Sequence, residues 1–150
     1  MSSGAGRGDA GRVSVFLAIA LLAVLAVIGL TYDGSAQLRM TQRAENLAAE
    51  AARTGGQEID RGAAVGGGVK AIDPAAATAA AYRYLDSVTL PENVHLTRSA
   101  RQVPDPDGGA PTRLEVTVIL TYEPVMLSLF GAGDLTATGS ATARLLTERP

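Results

Sequence analysis

The stretch Val13–Tyr32, VSVFLAIALLAVLAVIGLTY, carries no charge over 20 residues. Wound as an α-helix it is about 30 Å long, the thickness of a bilayer's hydrocarbon core. Its polar members do not oppose that placement. Ser14 and Thr31 can bond to carbonyls one turn back, and Tyr32 suits a membrane interface. A chain of 150 residues has too little material to surround such a helix as a buried core element. The run is therefore read as a transmembrane helix with lipid as its surroundings. A cleaved secretory signal is the alternative reading, with Arg7 and Arg12 as its basic start and Gly34-Ser35-Ala36 as a small-residue cut. Against it, the run is longer than the apolar part of a usual signal, and helical character continues past the cut. Arg7 and Arg12 precede the span, while Asp33 and then Arg39 follow it. The positive-inside rule then places the N-terminus in the cytoplasm and residues 33–150 outside, as a single-pass protein of the cell membrane.

Five segments are expected along the chain: a disordered N-terminus (1–12), the span (13–32), an extracytoplasmic extension of the helix (33–60), a Gly-rich linker (61–72) and a small α+β domain (73–147). In the extension, Ala44, Ala48, Ala51, Ala52 and Gly55 form a seam of small side chains at helical spacing. Such a seam lets a second element approach closely. That element is either another helix, including a second copy of the chain in a homo-oligomer, or the chain's own domain. Gly29 and Gly34 are candidate bends. Asp73-Pro74 reads as a helix start, with Asp at the cap and Pro at the first position. The helix it opens has an apolar face of Ala77, Ala80, Ala81, Tyr84, Leu85 and Val88 and ends near Ser87.

Period-two patterns follow. Leu114, Val116, Val118, Leu120 and Tyr122 alternate with Glu115, Thr117, Ile119 and Thr121, which predicts a half-buried strand ended by Pro124. A second strand over Leu135–Leu145 turns Ala137, Gly139, Ala141 and Ala143 inward, a face small enough for a helix to lie close over it. Val94–Val103 is a weaker third strand, joined to the next by a turn at Asp105–Gly109. The fold class is α+β: a long N-terminal transmembrane helix, then a helix packed on an antiparallel sheet of about three strands. Val125, Met126, Leu127, Leu129 and Phe130 break the alternation. They form either a connection tucked over the sheet edge or an exposed apolar contact with membrane or partner.

Little in the chain supports chemistry. There is no cysteine, which excludes disulfides and thiolate metal sites, and His95 is the single histidine. No Ser stands in a Gly-x-Ser-x-Gly elbow. Asp105 and Asp107 begin like a calcium loop, but Ala110 and Val116 occupy its sixth and twelfth positions. Glu115 and Glu123 are too far apart along a strand to share one bond. The formal charge of −2 gives no electrostatic footprint for nucleic acid. No enzyme activity and no cofactor are expected.

Gly11-Arg-Val-Ser-Val-Phe-Leu-Ala18, the apolar run, Tyr32-Asp33-Gly34 and Arg43-Ala-Glu-Asn-Leu-Ala-Ala-Glu-Ala-Ala-Arg53 together resemble the N-terminal segment of TadE/TadG-like proteins of Flp (tight adherence) pilus assembly systems. The resemblance covers about Gly11–Gly56, and the sheet that follows is similar to short members with a small α+β domain after the anchor. It implies a minor-pilin-like or pseudopilin-like component that acts through packing and contacts with other pilus or secretion-system membrane proteins. Members processed like prepilins carry a Glu five residues after the cleavage Gly. Counted from Gly11 that position is Phe16, so a retained, TadG-like anchor is expected, although the chain is short for the large extracellular region of many TadG proteins.

Overall fold

A computed structural model describes residues 7–58, 73–104 and 113–144. The expected linker (61–72) and the turn at Asp105–Gly109 lie outside the described residues, as do 1–6 and 145–150. Two compact units emerge: Met1–Ala36 with Pro124–Gly133, and Gln37–Glu123 with Asp134–Pro150.

Helix α1 runs Arg7–Gly55 as one element of 49 residues. It therefore starts inside the stretch read as disordered and stops short of residue 60. No proline interrupts it, and its composition is dominated by Ala and Leu, the strong helix formers. Its hydroxyl residues bond backward instead of competing with the helix: Thr31 Oγ1 donates to the Val27 carbonyl at 2.9 Å, and Thr41 Oγ1 to that of Gln37 at 3.0 Å. Gly29 and Gly34 do not break the helix. A single glycine costs about 1 kcal/mol relative to Ala, which the strong formers on either side offset.

In the first unit the apolar run of α1 is left uncovered. Its twelve large hydrophobic residues from Val13 to Leu30 are 55–72 % exposed. At ~1.5–3 kcal/mol per fully buried aliphatic side chain, leaving them in water would cost on the order of 20 kcal/mol. The helix is long and apolar enough to cross a membrane.

In the second unit, α2 (Pro74–Ser87) opens as the sequence predicts. The Asp73 carboxylate accepts from the N–H groups of Ala75 at 3.0 Å and Ala76 at 3.1 Å, and Pro74 stands at the first turn. The helix closes at Val88, whose N–H donates to the Leu85 carbonyl. Ala77, Ala80, Ala81 and Leu85 are its buried face. The sheet is an antiparallel meander in the order β1 (Val94–Val103), β2 (Arg113–Tyr122), β3 (Leu135–Arg144). Its register sets Leu96 against Leu120, and Val118 against Gly139. Leu114, Val116, Val118, Leu120 and Tyr122 of β2 are buried, while the residues between them are half-exposed.

The helix expected on one face of this sheet is present as α2, and the outer half of α1, whose seam the sequence left open to the chain's own domain, joins it in covering the sheet. A Cβ placed on Gly139 would lie 2.2 Å from the backbone of Ala44 and Glu45, and one placed on Gly55 would lie 2.4 Å from Leu114 Cδ2 and 2.6 Å from the Ala77 carbonyl oxygen. Backbones can approach that closely only where side chains are absent or small. Polar links complete the unit. Arg98 on β1 sits 4.7 Å from the centre of the Tyr82 ring, donates to the Tyr82 carbonyl and pairs with Asp86, while Tyr82 Oη accepts from the Ala100 N–H. Gln37 accepts from Tyr122 Oη at 2.6 Å and donates to the Thr136 carbonyl at 2.9 Å, so one side chain holds the adjoining ends of β2 and β3.

Candidate functional site

The seam residues fall on one side of α1. Ala44, Ala48 and Ala51 are fully buried, Ala52 is 1 % exposed and Gly55 is buried. What covers them is the chain itself: β3 at Gly139, β2 at Leu114 and α2 at Ala77. Of the two occupants the sequence left open, the chain's own domain is present. The physical reason is the match of two small-residue surfaces, the alanine face of α1 and the Ala137–Gly139 face of β3.

The segment after β2 goes the other way. Val125 is 56 % exposed, Leu129 77 % and Phe130 68 %, with Met126 at 36 % and Leu127 half-buried. A 3-10 turn at Leu127–Phe130 closes on Gly131, which takes φ 80°, a left-handed conformation that suits glycine.

What holds this segment is Asp33, which is 1 % exposed. One carboxylate oxygen accepts from the Val125 N–H at 3.2 Å, and the other accepts from Met126 at 3.0 Å and Leu127 at 2.6 Å. Three backbone donors on one acidic side chain give charge-assisted bonds that fix the backbone regardless of the side chains it carries. One turn earlier, Gly29 leaves room for Met126: a Cβ there would be 2.9 Å from Met126 Cβ. Gly29 and Asp33 are four apart and so share one helix face. From sequence, Asp33 stands out as the first charge after the span and as part of an Asp-Gly pair, and its role as a latch is missed. The available signal was spacing, since Gly29 and Asp33 continue the 3–4 rhythm of the small-residue seam.

The other candidates do not assemble. His95 is exposed on β1 opposite Thr121. Glu115 pairs with Arg101 at 2.9 Å on the outer face of the sheet. Among the described residues no group of three or more His, Cys, Asp or Glu could hold a metal ion. The arrangement is one of packing surfaces: an uncovered apolar helix, an apolar loop latched to its end, and a domain whose close-packing face is satisfied internally.

Comparison with known proteins agrees in kind. Residues 11–58, which span the apolar run, Asp33 and the seam, match the family described as "Putative Flp pilus-assembly TadE/G-like". No curated protein and no solved structure matches the chain.

Proposed function

Taking the TadE/G-like segment at residues 11–58 as the premise, we propose that this protein is a single-pass membrane component of a Flp-type pilus or secretion assembly, minor-pilin-like or pseudopilin-like in role. The observation that carries the proposal is that the matched segment contains a helix whose large apolar side chains, from Val13 to Leu30, are exposed and find no cover among the described residues. Lipid and the membrane helices of other assembly proteins are the surroundings that remove that surface from water. The N-terminus lies in the cytoplasm and the α+β domain outside it, with the anchor retained, as Phe16 suggests. Because the alanine seam is filled by the chain's own sheet, contacts with assembly partners are assigned to the apolar span and to the solvent-facing surfaces of the domain.

A photo-crosslinking residue at Leu22, in the middle of the span and 61 % exposed, tests this in the native cell. The expected products are adducts with integral membrane proteins of the pilus machinery, together with loss of pili when the gene is deleted. Recovery of the chain from the soluble fraction, with piliation unchanged by deletion, overturns the proposal.

A further inference from the structure

The latched loop Pro124–Gly133 has no charged residue in its sequence, PVMLSLFGAG. It contacts α1 at Gly29 and Asp33, the last turn of the apolar run and the residue directly after it. Its exposed side chains include Val125, Leu129 and Phe130. Its backbone donors are largely satisfied within the unit: Val125, Met126 and Leu127 by Asp33, and Leu129, Gly131 and Ala132 by the carbonyls of Met126, Ser128 and Leu127. Ser128 Oγ also turns inward, donating to the Val125 carbonyl. Irregular backbone enters an apolar medium only when its polar groups are satisfied in this way. With its donors satisfied, the loop turns a leucine and a phenylalanine outward together, a contiguous apolar patch of the kind that marks a membrane or partner contact.

We propose that this loop is a membrane-inserted wedge: Leu129 and Phe130 enter the acyl boundary of the outer leaflet beside the end of the transmembrane helix, and Asp33 is the positioning residue that holds the loop at that depth. The occupant of the apolar surface is lipid, because the surface is continuous with that of the span and both belong to one compact unit. The inference rests on the membrane-anchor reading above. It adds a second point of attachment, so that the helix end is held against lipid by a side loop as well as by its own length. Asp33 acts through its three N–H bonds: an acidic group at the interface would ordinarily draw water, but here its oxygens are turned onto the loop backbone.

The absence of cysteine makes the test direct. Full-length chains carrying a single environment-sensitive fluorophore at Phe130→Cys, Leu129→Cys or Leu22→Cys are reconstituted in phosphatidylcholine vesicles, with bromine on either the upper or the lower acyl carbons. The expected result is a blue-shifted probe at 130 and at 129 that loses most of its emission to shallow bromines, and a probe at 22 quenched by deep ones. Adding Asp33→Ala should return the probes at 129 and 130 to water-like emission while leaving the one at 22 unchanged. If the probe at 22 is quenched and those at 129 and 130 remain water-like, the wedge is wrong and the anchor stands. If none is quenched, the anchor fails and takes the wedge with it. Blue-shifted probes at 129 and 130 that no brominated lipid quenches point to cover by protein, a second copy included, and overturn the lipid assignment.

Discussion

At the residue scale, Asp33 and Gly139 contribute through opposite means, one through its acceptors and the other through the absence of a side chain. Replacing Asp33 with Ala strands three backbone donors, at about 1–3 kcal/mol for each one that stays buried. The loop should therefore come free locally, and hydrogen exchange at the Val125, Met126 and Leu127 amides should accelerate while the amides of β2 keep their protection. Unchanged exchange at those three amides would show that the carboxylate does not hold the loop. Gly139 works by steric room. Its missing Cβ is the gap into which the α1 backbone at Ala44 fits, at a separation no real Cβ could tolerate. Gly139→Ala forces a backbone shift, and the expected loss is about 1–3 kcal/mol or more. In a domain of this size that lowers Tm by roughly 5–20 °C, as read by circular dichroism of the full chain in micelles. A melting curve superposing on that of the unmodified protein would refute the close approach.

At the element scale, the outer half of α1 illustrates how one pattern admits two partners. Small residues at Ala44, Ala48, Ala51, Ala52 and Gly55 specify that something comes close, and they do not specify what. The structure fills the site with the chain's own sheet and α2. The consequence is testable: Ala48→Leu inserts extra carbons into a fully buried position and should unfold or loosen the α+β domain by about 1–3 kcal/mol. Limited proteolysis of membrane-embedded protein should then cut within the domain at lower protease concentration, with membrane insertion unaffected. A variant that keeps its protease resistance and loses only association with other proteins would return the seam to an intermolecular role. The elements themselves were legible. Asp73-Pro74 announced α2, and period-two alternation announced β2 and β3, because capping and pleating are local properties carried by neighbouring residues.

At the scale of the whole molecule, the proposed topology, a cytoplasmic N-terminus and a domain outside, can be read by labelling. Single cysteines at Ser3 and at Thr97, an exposed position on β1, should differ in intact cells: a membrane-impermeant maleimide, once past any outer barrier, labels the latter and reaches the former only after lysis. The reverse pattern would invert the orientation drawn from Arg7 and Arg12. The legible part of the candidate site was its apolar helix, since a run without charge is visible at any position. The loop half was not. Val125–Phe130 reads first as a tucked connection and only alternatively as an exposed contact, and its latch lies about 90 residues upstream in the chain.

The sequence by itself determined the apolar span, the existence and order of the helices and strands, and which face of each strand turns inward, since each follows from residues within a few positions of one another. The tertiary structure alone decided what covers those faces: β3 over the alanine seam, Asp33 under the loop backbone, and no protein over Leu129 and Phe130 among the described residues. The division has a physical cause. Periodicity is written along the chain, but the partner of a surface is chosen by which distant backbones can approach and satisfy one another's polar groups, and that choice exists only once the chain has folded.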